Sequence, residues 1–161
     1  MISTTVKKAE PEQSPFEKTK SLALSMLNRR PLSEWELREK LKEKGCAGED
    51  IDEVVTLFVG YGFLNDGEYA ALVARRCAAN AYGPGRLRAE LKKRGVPETY
   101  WDEARAQLGS PDDTLDRLLA IRLRGKDPAD RKERDKAAAA LFRKGYSWED
   151  IRGALNRMEE S

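Results

Sequence analysis

The residues best suited to holding a charged partner are crowded into one stretch. The segment Tyr82-Gly83-Pro84-Gly85-Arg86-Leu87-Arg88-Ala89-Glu90-Leu91-Lys92-Lys93-Arg94-Gly95 puts five basic side chains on one expected helix, with Arg75 and Arg76 just upstream. Residues 71–100 hold 7 Lys/Arg against 2 Asp/Glu, whereas the whole chain of 161 residues carries a net charge of only +2. Such a patch suits an acidic protein surface or phosphate groups. Gly-Pro-Gly at a helix start also leaves backbone N–H groups open to an anion. The competing reading is a solvated helix face in which Gly and Pro serve only as turn and cap. No strand precedes the glycines and no Gly-Lys-Ser/Thr follows them, so this is neither a dinucleotide nor a P-loop fingerprint.

The other candidates for chemistry are weaker. The chain has no histidine, which removes a histidine base, a Ser-His triad and histidine metal ligands. Cys46 and Cys77 are too far apart for a C-x-x-C motif and too few for a four-cysteine zinc site. The carboxylate pairs Asp102-Glu103, Asp112-Asp113 and Glu149-Asp150 fall in expected first turns of helices, where acids complement the dipole. Catalysis by such a pair needs a pocket and a raised pKa. The alternating charges of Arg131-Lys132-Glu133-Arg134-Asp135-Lys136 read as a solvent-facing ion-pair surface. Trp35, Trp101, Trp148 and Tyr61, Tyr69, Tyr82, Tyr100, Tyr146 read mainly as packing residues near repeat junctions. No catalytic, cofactor or metal-ligating residue is assigned, and the chain is not expected to be an enzyme. Six residues is the longest apolar run, far short of a membrane span, and two thiols without a secretory leader point to the cytoplasm.

Helices must position the patch. Ala, Leu, Glu, Lys and Arg make up 84 of the 161 residues, while Val, Ile and Thr total 16. That composition favours helix over sheet. Three segments align at a constant offset of 50: Leu37-x-x-x-Leu41-x-x-x-Gly45 with Ile51, Leu87-x-x-x-Leu91-x-x-x-Gly95 with Trp101, and Ala137-x-x-x-Leu141-x-x-x-Gly145 with Ile151. Val54, Ala104 and Ala154 coincide, as do Phe58, Leu108 and Met158. Apolar residues at i and i+4 make one helix face, Lys44, Arg94 and Lys144 complement the last turn, and each Gly ends the helix in the left-handed region. An amphipathic helix precedes each pair: Phe16 to Arg30, Glu68 to Ala81 and Asp112 to Arg124. Ser33 with Glu36 suggests a capping box, and Asp66, Ser110 and Asp127 suggest N-caps. Pro84, Pro97, Pro111 and Pro128 suit first helical turns.

The expected architecture is all-α, with three tandem three-helix repeats in an elongated, curved array. A polar tail at 1–15 is expected to be flexible, followed by repeats at 16–62, 63–109 and 110–161. A monomer is the default expectation.

Four motifs stand in order along the chain: Ser33-x-x-Glu36-Leu37-x-x-Lys40-Leu41-x-x-Lys44-Gly45, Leu64-Asn65-Asp66-x-x-Tyr69-Ala70, Tyr82-Gly83-Pro84-x-Arg86-Leu87-x-x-Glu90-Leu91-x-x-Arg94-Gly95, and Leu141-x-x-Lys144-Gly145-Tyr146. In these motifs the sequence resembles the RecX family, regulators of the bacterial recombinase RecA. The resemblance covers about residues 18–158, and the order and spacing of the motifs carry its specificity. The resemblance implies binding to RecA, free and as a filament on single-stranded DNA, with the protein in the filament groove. It also implies inhibition of ATPase, strand exchange and coprotease activities in recombination, DNA repair and the SOS response. The basic residues Arg75, Arg76, Arg86, Arg88, Lys92, Lys93 and Arg94 are the expected partner contacts. The alternative is a direct DNA-binding protein using the same basic middle repeat on phosphates. The run Ala137–Ala140 is plainer than the family's more basic third unit, which argues against a large share of binding for that unit.

Overall fold

The structure is a computed structural model that describes residues 12–161. Most of the expected tail therefore lies outside the described residues. Among those described there are nine α-helices and no strand. They are α1 (Pro15–Arg29), α2 (Glu34–Glu43), α3 (Gly48–Tyr61), α4 (Asp66–Ala79), α5 (Pro84–Lys93), α6 (Trp101–Arg105), α7 (Pro111–Arg122), α8 (Arg131–Arg143) and α9 (Trp148–Glu160). Single turns of 3₁₀ helix at Glu98–Tyr100 and Ala106–Leu108 flank α6, so this helix is shorter than its counterparts α3 and α9. Turns of this kind commonly tighten helix ends.

The 50-residue period is a period of identical helix stops. Gly45, Gly95 and Gly145 have φ of +79°, +70° and +101°. In each case the next residue's N–H reaches back to the second Leu of the motif: Cys46 to Leu41 O at 3.1 Å, Val96 to Leu91 O at 3.0 Å and Tyr146 to Leu141 O at 3.3 Å. These backward bonds satisfy carbonyls that the helix leaves open. The apolar repeat positions are buried. Leu37, Leu41, Leu87, Leu91, Ala137 and Leu141 are at most 4% exposed.

Three small cores result, one per triplet of helices. Leu37, Leu41, Ile51, Val54 and Phe58 centre the first, Ala70, Val73, Leu87, Leu91 and Ala104 the second, and Leu115, Leu119, Leu141, Ile151 and Ala154 the third. By contacts the chain forms two compact units. The first comprises the described residues up to Leu32 together with Glu36–Leu64, and the second comprises Ser33–Trp35 and Asn65–Ser161.

Two helix starts differ from expectation. Asn65, not Asp66, caps α4, its side chain accepting from the Glu68 N–H at 3.1 Å. Asp66 is inside the helix and 6% exposed, and its carboxylate accepts from the Glu34 N–H at 3.0 Å. Asp127 does not start α8 either. It closes a turn onto the Ala129 N–H, and Asp130 is the cap, accepting from Lys132 N–H. Pro128 consequently lies before the helix. In both cases two capping-type residues stand close together, and the one whose side chain reaches the N2 or N3 amide takes the role.

The aromatic side chains also divide. Tyr69 and Tyr146 are buried as expected, whereas Trp35, Tyr61, Tyr100 and Trp148 are exposed. Trp148 lies flat against Phe142, ring centroids 4.6 Å apart.

Candidate partner-binding surface

The second unit carries the basic patch on α4 and α5. At about 100° per residue, α5 sorts its charges onto two flanks of the buried Leu87–Leu91 edge. Arg86, Glu90 and Lys93 fall on one flank, and Arg88 and Lys92 on the other. Arg75 and Arg76 are adjacent on α4 and both exposed.

Arg76, Arg86 and Arg94 border one cleft, of about 190 Å³. Its floor is Val73, Cys77 and Tyr82. Glu90 stands between two of the guanidinium groups, 3.3 Å from Arg86 Nε and 3.4 Å from Arg94 Nε. Arg94 also donates through Nη1 to the Tyr69 hydroxyl at 2.9 Å. The Arg86 guanidinium stacks over the Tyr82 ring, 4.6 Å from its centroid. Burial, then the nearby Glu90 carboxylate, push the Cys77 thiol up from its ordinary pKa. The thiol therefore stays protonated at neutral pH and packs as an apolar residue. Arg88 borders a different depression, with Trp101, Asp102 and Arg105. Of the expected patch residues, Arg76, Arg86 and Arg94 thus line one depression and Arg88 another, which Arg105 joins, while Arg75, Lys92 and Lys93 line neither.

The open amides expected at Gly-Pro-Gly are already bonded. Gly83 N–H donates to Lys144 O and Gly85 N–H to Gly145 O, both at 2.8 Å. The carbonyl end of α8 therefore abuts the amide end of α5, an arrangement that joins opposite ends of two helix dipoles. The glycines permit this approach. A Cβ on Gly83 would lie 2.7 Å from Gly145 C, one on Gly85 2.9 Å from Gly145 O, and one on Gly145 2.4 Å from Arg86 N. An anion site at this helix start is excluded by its occupant.

Side chains seal the same joint. Tyr146 donates its hydroxyl proton to Ala81 O at 2.9 Å, and Lys144 Nζ donates to Asn80 O at 3.1 Å. Lys144 also lies 5.1 Å from the Tyr82 centroid, so two cations flank that ring. Ala81 has φ +55°, the one left-handed non-glycine among the described residues. The contact recurs 50 residues earlier within the same unit. Ser33 donates its hydroxyl proton to Arg94 O, and a Cβ on Gly95 would lie 2.5 Å from Trp35 Cγ. Sequence reasoning missed Lys144 as a neighbour of the patch, because its role as a helix-end cation accounted for it.

The remaining charged clusters behave as solvated surface. Lys126 and Lys136 pair with Glu133, Arg134 with Glu159, and Arg157 with Asp112 and Asp116. Asp102-Glu103, Asp112-Asp113 and Glu149-Asp150 occupy first turns of α6, α7 and α9. Among the described residues, no group of three or more His, Cys, Asp or Glu side chains is placed to hold a metal ion, and no helix is long and apolar enough to cross a membrane.

These features define a class: an all-helical protein of three-helix domains whose chemistry is presented as a charged surface. Family models for the first, second and third three-helix domains of RecX match residues 20–56, 65–104 and 112–155. A Regulatory protein RecX from Xanthomonas campestris pv. campestris (strain B100) is 37% identical over 143 residues, covering 88% of this chain and 85% of the relative. A protein of the same name from Vibrio campbellii (strain ATCC BAA-1116) is 32% identical over 151 residues, covering 92% and 96%. The crystal structure of RecX from Lactobacillus salivarius superimposes with a TM-score of 0.75 over 91% of this chain and 98% of that one, at 21% identity, a likeness of fold. The chain belongs to the RecX family of regulatory proteins.

Proposed function

We propose that this protein is a non-enzymatic modulator, mainly an inhibitor, of RecA in the cytoplasm. It binds RecA free and in the groove of the RecA filament on single-stranded DNA, and lowers ATPase, strand exchange and coprotease activity. Family membership supports a regulatory role, and the observation that carries the partner reading is the pair of basic flanks on α5. Positive flanks on a rigid helix complement an acidic polymer surface and steer the encounter. The contacts assigned to the partner are Arg75, Arg76, Arg86, Arg88, Lys92, Lys93 and Arg94. The test is titration of the chain into RecA, ATP and single-stranded DNA. Hydrolysis should fall at or below equal ratios. Unchanged hydrolysis, with no co-sedimentation on filaments, would refute the reading.

The Arg88–Lys92 flank favours one alternative, direct DNA binding, because α5 carries no acid beside it. That alternative requires tight binding without RecA that weakens steeply with salt.

A further inference from the structure

The α4–α5 cleft differs from the rest of the patch. Its rim is cationic and its floor is apolar, with Val73 and Cys77 at most 4% exposed. Glu90 already occupies the side facing Arg86 and Arg94. Among the described residues, Arg76 on the opposite helix has no ion pair and its guanidinium makes no hydrogen bond, so its donors are available to an incoming acceptor. At about 190 Å³ the cleft is smaller than the ~300–1,000 Å³ of ordinary small-molecule sites. It therefore suits individual side chains better than a nucleotide.

We propose that this cleft anchors an acidic side chain, with an aliphatic neighbour, from a peptide segment of a protein partner. The carboxylate pairs with the Arg76 guanidinium, whose planar fork matches it. The aliphatic side chain covers Val73, Cys77 and the Tyr82 ring. Glu90 argues against a phosphate backbone here. A duplex strand brings one charge for about every 3.4 Å of helix axis, so successive phosphates would meet the carboxylate that this flank of α5 sets in their path. The same Glu90 holds Arg86 and Arg94 in fixed positions, which lowers the ordering cost when a peptide arrives. This inference rests on the reading that the middle unit contacts an acidic partner, and it names the chemistry of one contact.

The test uses the full chain without RecA and a fluorescein-labelled peptide, Glu-Leu-Asp-Leu-Glu, read by fluorescence anisotropy at physiological salt. The peptide should bind saturably, and its Gln-Leu-Asn-Leu-Gln counterpart about tenfold or more weakly. Arg76→Gln should weaken binding about tenfold, whereas Arg152→Gln, which removes the same charge from an exposed position on α9 outside the assigned contacts, should change it less than about twofold. Circular dichroism checks that both variants are folded. Equal losses in the two variants would show diffuse charge attraction and overturn the proposal. So would the absence of saturable binding, or displacement of the peptide by a short oligothymidylate whose own binding needs Arg76. The two readings fail separately. A chain that inhibits RecA but ignores the peptide overturns the cleft assignment alone, and a chain that binds the peptide but leaves RecA's ATPase unchanged overturns the RecA reading alone.

Discussion

Replacing Gly85 by Ala separates helix propensity from the joint between α5 and α8, because the two predict opposite signs. Within a helix, Gly→Ala ordinarily stabilises by about 0.5–1 kcal/mol. Gly60, in α3, has no neighbour from outside its own turn of helix, among the described residues, within 4 Å of where a Cβ would lie, so Gly60→Ala should show that gain. Gly85 lies in the first turn of α5 with its Cβ position 2.9 Å from Gly145 O and 3.5 Å from Gly145 C, both backbone atoms. A methyl group there must push the two helix ends apart. The separation stretches the 2.8 Å bonds from Gly85 N–H to Gly145 O and from Gly83 N–H to Lys144 O. Each such bond contributes about 1 kcal/mol net. Loss of both, about 2 kcal/mol, offset by the propensity gain, leaves Gly85→Ala destabilised by about 1–1.5 kcal/mol. The propensity gain is common to the two variants, so the gap between them should be about 2 kcal/mol. Denaturant unfolding measures the gap, and hydrogen exchange at the Gly83 and Gly85 amides locates it. If Gly85→Ala is as stable as Gly60→Ala, or both amides keep their protection, the joint does not hold the helices together.

Four further outcomes follow from the same geometry. Tyr146→Phe removes the hydroxyl bond to Ala81 O and should cost about 1 kcal/mol in denaturant unfolding. Burial raises the Tyr146 phenol pKa above its ordinary value, so its contribution is fully present below the unfolded-state value near 10 and is lost as pH rises through the folded one. By ultraviolet absorbance Tyr146 should titrate above the ordinary tyrosine value, and Tyr146→Phe should lose that late transition. Ala81→Gly should stabilise by about 1 kcal/mol, since φ +55° at the end of α4 suits Gly better than Ala. Thiol titration should modify half-buried Cys46 first and the buried, protonated Cys77 only on opening of the fold. Charge reversal at Arg88, Lys92 and Lys93, which leaves the Arg86–Glu90–Arg94 pairing intact, should weaken RecA inhibition without changing helicity. Full inhibition by this folded variant removes those residues from the interface.

What the sequence showed and what it hid have a common physical origin. Leu37, Leu87 and Ala137 with their partners four residues on are legible because helix faces depend on local spacing, and the φ of Gly45, Gly95 and Gly145 is legible because a helix stop is local too. The two flanks of α5 are equally local. Spacing alone separates Arg88 and Lys92 from Arg86 and Lys93, although composition merges them into one patch. The acceptors for Gly83 and Gly85 are not local. They are carbonyls at 144 and 145, and nothing in Gly-Pro-Gly tells an amide waiting for an anion from one bonded to a distant helix end. Arg76 and Arg75 look alike in sequence for the same reason. Only the packing of α4 on α5 puts one of them at a cleft.

The joint also changes how the third helical triplet bears on the patch. Its Ala137–Ala140 run carries no charged side chain. Yet Tyr146 holds Ala81 O, Lys144 holds Asn80 O and flanks the Tyr82 ring, and Gly145 lies against Arg86. Asn80, Tyr82 and Arg86 all line the α4–α5 cleft. The third triplet therefore positions the cleft through the Lys144 and Tyr146 side chains and the backbone of Lys144 and Gly145. Gly45 makes the contrast. It has the same φ class and the same place in the repeat, but among the described residues no tertiary neighbour lies within 4 Å of where its Cβ would be. One residue type thus serves the helix stop in all three repeats and the close contact in two. Gly45→Ala should register only the cost of backbone conformation, whereas Gly145→Ala should register that cost and also disturb the α4–α5 cleft, about 60 residues earlier in the chain.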